Sequence, residues 1–292
     1  MSKSSLLANI EYEHELREII SYHSKTFYFA TQFLPSAKRI AIWSLYAFCR
    51  STDDLIDCQP NKSNQELINE IDNWKADLLS DEPNHKILAH FKTVIETYQI
   101  PIQYALDLIE GCKRDLTQKR YTDFAELSNY CYQVASTVGL MSIYIIGFDK
   151  NYQKEVEENA IKAGIALQMT NILRDVGEDL QRGRIYIPLK DFESCNCNPG
   201  QPEKWKDSKE FYRLLYIQMQ RTKNLYAESW KGLKFLNPLG KFAVGVALTI
   251  YEGILPEIEK NQYDVLEKRA FVSFWKKLFL VFVTGWKLLF LK

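Results

Sequence analysis

The chain has 292 residues, of which 37 are basic and 37 acidic, so its formal net charge at neutral pH is zero. A balanced charge without a basic cluster in the body excludes the electrostatic footprint of a nucleic-acid-binding protein. Apolar residues make up 46% of the chain, which is enough for a sizeable core. The six cysteines show no paired metal-ligand spacing, and the first residues do not follow the basic-then-apolar pattern of a signal segment. We therefore expect a cytosolic protein with no nucleic-acid partner.

Apolar residues recur with the period of an α-helix along the whole chain, and strand-like alternation never extends beyond a few residues. The pattern predicts an all-α protein, whose length allows one large domain or two, and the composition shifts over residues 271–292. The expected helical segments are 8–23, 36–58, 63–79, 85–98, 101–117, 123–148, 154–181, 204–232 and 238–260. The longest irregular stretch, 193–202, has a length that is often functional, and we interpret it as a lid over the site.

The predicted helix 36–58 is apolar almost all round, which is typical of a buried helix. Its polar side chains form a single stripe, because Tyr46, Arg50, Asp53 and Asp57 follow one another at intervals of four, three and four residues. Asp53 and Asp57 therefore lie about 5–6 Å apart on one helix face, where like charges repel each other. A divalent cation would offset this repulsion, and buried charges need such a partner.

A later predicted helix repeats this arrangement. Gln168, Asn171, Asp175 and Asp179 form a second stripe among apolar residues, and Arg174 stands beside it. Two such helices facing each other would bracket Mg²⁺, which is usually held by one or two carboxylates and substrate phosphates, while arginine binds the phosphate. The alternative is a pair of solvated acidic faces with local salt bridges. Because the arrangement occurs twice on apolar helices, we favour a magnesium and diphosphate site.

Small residues are concentrated between residues 135 and 139, inside the predicted helix 123–148. Glycine within a helix costs about 1 kcal/mol relative to alanine, so Gly139 should have a compensating role. It could widen a cavity that holds a long apolar ligand, or it could let two helices pack closely. The sequence leaves both interpretations open.

The tail over residues 271–292 combines lysines with many aromatic and aliphatic residues. Its longest charge-free stretch, 278–286, would extend about 14 Å as a helix at ~1.5 Å per residue, well short of a bilayer core of about 30 Å. Lysines interspersed with tryptophans and phenylalanines are typical of a segment that lies on an anionic membrane surface. The alternative is a helix docked on the body of the protein; we favour peripheral membrane contact.

Several stretches of the chain resemble the squalene/phytoene synthase family, over about residues 15–270. These stretches are 23–27, 46–57, 134–139, 168–179 and 182–188. One departure is Ser136, at a position where the family usually has glycine, and we expect it to narrow the substrate channel slightly. The resemblance implies a single-domain, all-α isoprenoid synthase fold with a central active-site cavity, formed by a catalytic domain over residues 1–270.

The resemblance also implies the chemistry, which is head-to-head joining of two allylic diphosphates through a cyclopropyl diphosphate. It implies Mg²⁺ as the cofactor, with Mn²⁺ as a substitute and no NADPH. The implied metal ligands are Asp53, Asp57, Asn171, Asp175 and Asp179. The implied substrate-binding residues are Ser24, Lys25, Phe27, Tyr46, Arg50, Gln168, Asn171, Arg174, Tyr251 and Arg269. The implied catalytic residues are Asp53, Asp57, Asp175, Asp179, Tyr132 and Tyr186, with Tyr132 near the reacting carbons.

The stretch 138–142 is most similar to phytoene-forming members of the family. We therefore expect two molecules of geranylgeranyl diphosphate to be condensed to phytoene in carotenoid biosynthesis, with later enzymes of that pathway as further partners. One alternative is squalene or dehydrosqualene formation from farnesyl diphosphate. Others are a non-catalytic family member acting as an assembly or lipid-binding factor, and a terpene cyclase or head-to-tail elongase. The four motif aspartates and both motif arginines are present, which argues against a non-catalytic member.

Overall fold

The computed structural model describes residues 10–57, 59 and 61–291, and within these ranges regular structure is helical apart from one isolated bridge between Phe148 and Leu236. The α-helices in chain order are α1 Ile10–His23, α2 Lys25–Thr31, α3 Ser36–Asp57, α4 Asn64–Leu79, α5 Lys86–Tyr98, α6 Ile102–Arg114, α7 Phe124–Cys131, α8 Thr137–Ile146, α9 Gln153–Arg174, α10 Val176–Gln181, α11 Leu189–Ser194, α12 Lys209–Ser229, α13 Pro238–Glu252, α14 Ile254–Lys260 and α15 Phe274–Leu289. A π-helical turn, Tyr132–Ser136, joins α7 to α8, and 3-10 turns occupy Lys150–Tyr152, Pro202–Lys204 and Trp230–Phe235. The all-α prediction is confirmed.

Polar side chains start several of these helices by binding backbone amides that have no partner within the helix. Ser63 and Glu66 form a reciprocal capping box at the start of α4. Ser24 caps α2 by accepting from the backbone amide of Phe27 at 3.4 Å, and Ser273 caps α15 in the same way. These caps fix where the helices begin without any help from tertiary packing.

Three predicted helices are interrupted in the structure, and one of them, 238–260, is divided into α13 and α14 at Gly253. The segment 154–181 is divided into α9 and α10 at Asp175, whose backbone leaves the helical region (φ −105°, ψ 17°). The segment 123–148 is divided by the π turn between α7 and α8. The short helices α2 and α11 fall outside the predicted segments, because seven or fewer residues carry too little periodicity to be recognised.

The central helix α9 packs against α8, α12 and α13, and also against the π turn. Its Gly164 allows the closest of these approaches, because a β-carbon added there would lie 2.3 Å from the Cα of Ser136. Ser136 is fully buried, and its hydroxyl donates to the carbonyl oxygen of Ile161 at 2.7 Å. Ser136 therefore faces the backbone of α9 and does not line the cavity, so it does not narrow the substrate channel as predicted.

A cavity of about 290 Å³ lies between α2, α3, α8, α9 and α13, with walls that are mostly aliphatic. Gly139 lines this cavity, and a β-carbon added to it would lie 3.2 Å from the carbonyl oxygen of Ala160. Both interpretations of this glycine therefore hold together: it gives the ligand space and it lets α8 approach α9. Polar side chains enter the lining towards the C-terminal ends of α3 and α9, where Tyr46, Gln168 and Asn171 lie.

The stretch 193–202 packs against the body of the protein. Cys195 and Cys197 are buried, and Trp205 stacks on Phe211 of α12 and contacts Phe192 of α11. Residues 195–202 do not contribute to the cavity lining. The structure thus holds this stretch as an ordered surface loop and not as a lid over the site.

The helices α13 and α14 together form the one described segment, Pro238–Lys260, whose length and composition would allow it to cross a membrane. However, 61% of its most apolar window is buried inside the protein. Ala243, Val244 and Ala247 from this segment line the cavity. The segment is therefore part of the core.

Candidate active site

The last two turns of α3 bring the first acidic motif to the polar end of the cavity. Arg50 binds Asp53 at 3.3 Å and makes a second, shorter contact with Asp54. Asp57 is bound instead by Arg182 at 2.7 Å and Arg184 at 3.1 Å. These two arginines follow α10, so the ion pairs connect the two acidic motifs directly.

The second motif lies at the break between α9 and α10. The carboxylate of Asp175 accepts hydrogen bonds from Arg174 Nε at 2.7 Å and from Arg269 Nε at 2.9 Å. Arg269 belongs to the linker between α14 and α15 (residues 261–273, the α14–α15 linker) and also lies 3.4 Å from Glu178. The backbone amide of Gly177 donates to the carbonyl oxygen of Val265 in the same linker at 3.1 Å. The break thus gives Asp175 partners from two directions.

A third acid joins the two motifs. Asp115, the residue after α6, accepts hydrogen bonds from Tyr130 at 2.9 Å and Tyr186 at 3.3 Å. Sequence reasoning missed Asp115, Tyr130, Arg182 and Arg184 as site residues, although the Arg-Asp dipeptide at 114–115 repeats the one at 174–175. That dipeptide is the signal that could have indicated Asp115.

Tyr132 is the predicted site residue that the structure does not bring to the site. Its hydroxyl donates to Asp107 on α6 at 3.3 Å, and it is not among the residues that line the cavity. Tyr130, two residues earlier, points to the acids instead. The physical reason is the helical period, since side chains two positions apart lie on roughly opposite sides of a helix.

Several of the remaining predicted substrate-binding residues line the cavity. Phe27 contacts Tyr251 at a ring-centroid distance of 5.5 Å and Tyr46 at 6.4 Å, and all three line the cavity. Ser24 caps the helix that carries Phe27. Lys25, the first residue of that helix, has a neighbour in the tail.

That neighbour is Lys277. Burial and the nearby charge of Lys25 lower the pKa of Lys277. The two ammonium groups therefore lie close enough to repel each other.

Three of the acids bind protons more tightly than isolated carboxyl groups. Burial and the charge of Asp57 raise the pKa of Asp53 to about 6, and burial raises the pKa of Asp115 to about 6. Burial and the charge of Asp175 raise the pKa of Asp179 to about 7. Water still reaches 45% of the Asp53 side chain, so solvent screens part of this repulsion. A bound cation would relieve the remaining repulsion between the carboxylates.

Asp175 behaves differently from these three acids. Burial acts to raise its pKa, but the hydrogen bonds and charges of Arg174 and Arg269 outweigh burial, and the pKa of Asp175 is lowered. Asp175 is therefore ionised throughout the neutral range and is available to a cation or to arginine.

Two of the buried side-chain atoms that lack a hydrogen-bond partner belong to the two motif helices: the side-chain oxygen of Asn171 and Nε of Arg50. The amide nitrogen of Asn171 donates to Gln168 at 3.3 Å, so its oxygen remains the unused acceptor. An amide oxygen is a hard ligand that suits Mg²⁺, and a guanidinium N–H suits a phosphate oxygen. The described side chains do not form a ready-made cluster of three or more acidic, histidine or cysteine ligands.

A helical body around an apolar cavity, with acids and arginines of opposed helices at its polar end, defines the class of isoprenoid synthases. Within this class, the chain belongs to the squalene/phytoene synthase family, whose sequence profile matches residues 20–276. The chain is 40% identical over 275 residues to phytoene synthase from Arthrospira platensis, which covers 90% of this chain and 88% of that protein. It is 36% identical over 282 residues to 15-cis-phytoene synthase from Synechocystis sp. (strain ATCC 27184 / PCC 6803 / Kazusa), covering 93% and 84% of the two chains.

Solved structures show the same architecture. A dehydrosqualene synthase in complex with ligand matches with a TM-score of 0.83 and 28% identity, covering 98% of this chain and 97% of that one. Squalene synthase HpnC from Alicyclobacillus acidocaldarius matches with a TM-score of 0.77 and 25% identity, covering 86% and 94% of the two chains. The prediction of an isoprenoid synthase fold is confirmed.

Proposed function

We propose that this protein is a Mg²⁺-dependent prenyltransferase that joins two molecules of geranylgeranyl diphosphate head to head into phytoene, in carotenoid biosynthesis. The observation that carries the proposal is the pairing of acids and arginines on α3, α9 and α10, just beyond the cavity-lining residues Tyr46 and Asn171 of α3 and α9, in a chain 40% identical to a phytoene synthase. Two diphosphates and two protons leave in the overall reaction, which proceeds through a cyclopropyl diphosphate.

The site residues divide into metal ligands and diphosphate ligands. Asp53, Asp57, Asn171, Asp175 and Asp179 would hold Mg²⁺, which neutralises the charge that develops on the departing diphosphate. The guanidinium groups of Arg50, Arg174 and Arg269 bind phosphate oxygens, because their planar forks match phosphate as well as carboxylate.

The apolar cavity protects the reactive cation and aligns the two substrate chains. Its aliphatic walls keep water from the allylic cation and hold the two chains side by side, so that the new carbon–carbon bond forms before hydrolysis. Aromatic rings of Phe27, Tyr46 and Tyr251 lie where the apolar and polar parts of the cavity meet. Their faces would stabilise positive charge on carbon.

The second candidate function is formation of dehydrosqualene or squalene from farnesyl diphosphate. The observation that favours it is the structural match, at a TM-score of 0.83, to a dehydrosqualene synthase. The closer sequence likeness to phytoene synthases makes this the weaker candidate.

Incubation of the purified protein with each diphosphate separates the two functions. With Mg²⁺, we expect geranylgeranyl diphosphate to give phytoene, and addition of NADPH to leave product and rate unchanged. Products are identified by chromatography and mass spectrometry, with an EDTA-treated sample as the control. Turnover of farnesyl diphosphate alone would overturn the first candidate.

We also infer a cytosolic enzyme that works in contact with a membrane surface. The substrate carries a long apolar chain and the product is wholly apolar, so both partition into lipid. Later enzymes of the pathway would meet the product there.

A further inference from the structure

The cavity extends away from its polar residues, first along α9 and then along α8. Its lining on α9 runs from Asn171 back to Ala160, about 16 Å of helix at ~1.5 Å per residue. The helices α8 and α9 run in opposite directions, and Ala160 lies beside Gly139 of α8. From Gly139 the lining continues along α8 for a further ~10 Å to Ile146, where that helix ends. Ile146 therefore stands at the closed end of the cavity, which we define as the end opposite the polar residues.

The side chain of Ile146 fills a space that a glycine of α13 leaves open. A β-carbon added to Gly240 would lie 1.9 Å from Cγ2 of Ile146, so no other residue type fits at position 240 while Ile146 keeps its place. Gly240 is buried and does not line the cavity, whereas Ile146 does. Ile146 thus separates the cavity from the first turn of α13.

Polar groups hold the backbone at the closed end. The carbonyl oxygen of Ile146 accepts hydrogen bonds from Nζ of Lys38 and from Nδ2 of Asn237, the latter at 3.4 Å. The backbone amide of Asn237 donates to the carbonyl oxygen of Gly147 at 3.1 Å, and Gly147 takes a φ of +87°, which favours glycine. An apolar ligand that reaches this end meets a fixed backbone and polar groups beyond the side chain of Ile146. Burying those groups against hydrocarbon is unfavourable.

We propose that Ile146 is a specificity-determining residue, which limits the length of the isoprenoid tail by closing the cavity opposite the diphosphate. Gly240 sets how far the side chain of Ile146 withdraws from the cavity. A tail of four isoprene units extends up to Ile146, and a fifth unit meets its side chain. The length of four units rests on the proposed function, whereas the position of the limit rests on the packing of α8 against α13.

Competition between diphosphates that differ by one isoprene unit tests this role. Ile146→Ala opens the closed end towards Gly240. In an equimolar mixture of the twenty- and twenty-five-carbon diphosphates, we expect the share of product that contains a longer tail to rise at least about tenfold. A single methylene in an apolar pocket changes kcat/KM by about 10–200-fold. Mass spectrometry of the products measures this share.

Leu248→Ala is the matched control for this experiment. Leu248 is buried and lines the cavity one turn before Tyr251, near the polar residues, and its truncation removes as many carbon atoms as Ile146→Ala. We expect the share of longer tails to change less than about threefold in this control. Thermal melting checks that each variant is folded. Ile146→Val, which removes a single carbon atom, should shift the share in the same direction by a smaller factor, and it serves if Ile146→Ala does not fold.

Gly240→Ala changes the same contact from the other side. The added methyl group overlaps Cγ2 of Ile146, so the side chain must move towards the cavity. In a mixture of the fifteen- and twenty-carbon diphosphates, we expect the ratio of longer to shorter tails in the product to fall about tenfold. The double variant Gly240→Ala with Ile146→Ala should recover this ratio, because Cγ2 is gone and the Cβ of residue 146 lies 3.3 Å from the added carbon.

Wild-type product ratios in folded Ile146→Ala or Ile146→Val would overturn the proposal, as would a Leu248→Ala control that accepts longer tails equally well. A Gly240→Ala enzyme with an unchanged ratio would overturn the role of Gly240. A wild-type enzyme that converts only the fifteen-carbon diphosphate would refute the proposed function alone. In that case Ile146→Ala should still extend the accepted tail by one unit, to twenty carbons.

Discussion

At the residue scale, the charged groups of the site are paired with arginines from other elements. Asp57 on α3 is bound by Arg182 and Arg184, and Asp175 is bound by Arg269 from the α14–α15 linker. Arginine stays protonated at all accessible pH values and binds carboxylate or phosphate through the same fork. We therefore expect these guanidinium groups to turn from the carboxylates to the diphosphate as Mg²⁺ takes the carboxylates.

The two tyrosines of the π-turn region allow a direct comparison at this scale. Tyr130→Phe removes a hydrogen bond to the buried Asp115, while Tyr132→Phe removes one to Asp107, away from the cavity. A hydrogen bond to a charged group contributes roughly 1.5–3 kcal/mol, so we expect Tyr130→Phe to lower kcat about tenfold or more. Tyr132→Phe should change kcat less than about twofold, because its hydroxyl does not reach the acids.

Steady-state kinetics of both variants check this expectation, with circular dichroism as the control for folding. The opposite outcome, an inactive Tyr132→Phe and a fully active Tyr130→Phe, would restore Tyr132 as the tyrosine near the reacting carbons.

At the scale of the elements, the break between α9 and α10 sets the geometry of the second motif. An uninterrupted helix would point Asp175 and Asp179 along one face, whereas the break makes room for the α14–α15 linker. Gly177 permits this contact, because a β-carbon added there would lie 2.2 Å from the carbonyl oxygen of Leu266. The linker in turn carries Arg269 to Asp175.

Gly177→Ala should therefore push the linker away and separate Arg269 from Asp175. Such overpacking typically costs about 1–3 kcal/mol of stability. We expect a lower melting temperature and a loss of kcat/KM of roughly tenfold, since a bidentate ion pair at the site is lost. Gly285→Ala is the matched control: it lies inside α15 with its nearest neighbour atom at 3.9 Å, and alanine should be neutral or stabilise by up to about 1 kcal/mol. An unchanged Gly177→Ala enzyme would mean that the linker is not held in this way.

At the scale of the whole molecule, the site joins two walls that are far apart in sequence. The acids of α3 lie on one wall, and those of α9 and α10 on the other, with Arg182 and Arg184 bridging them. A ligand that contacts both walls and binds only the folded state stabilises it by an amount that grows with the logarithm of ligand concentration, about 2.7 kcal/mol at 100 times Kd.

We expect Mg²⁺ and inorganic diphosphate together to raise the melting temperature by about 5–10 °C, at roughly 2–4 °C per kcal/mol. Each component alone should produce a smaller shift, because neither one alone neutralises both the acids and the arginines. Differential scanning fluorimetry measures the effect, EDTA should reverse it, and Asp53→Ala or Asp175→Ala should abolish it. A full shift in either variant would remove that aspartate from the metal site.

The rise in melting temperature caused by Mg²⁺ and diphosphate should depend on pH. The pKa values of Asp53, Asp115 and Asp179, about 6, 6 and 7, lie above the ordinary value near 4 for aspartate in an unfolded chain. Their protonated forms therefore stabilise the protein fully below about pH 4, and this contribution is lost as the pH rises through 6–7. Mg²⁺ competes with these protons, so we expect a larger stabilisation by Mg²⁺ and diphosphate at pH 8 than at pH 5.5. Equal shifts at both pH values would contradict this competition.

The sequence by itself determined the helical class, the two polar stripes and the amphipathic tail, because helical periodicity and the order of polar and apolar residues are local properties of the chain. Only the tertiary structure decided that Asp115 and Tyr130 join the site, that Asp175 interrupts its helix and that Ser136 faces α9. Each of these depends on a contact between elements tens of residues apart, such as Gly177 against Leu266 or Gly164 against Ser136. A pattern along one helix shows which side chains share a face, but the packing of neighbouring helices decides what that face meets.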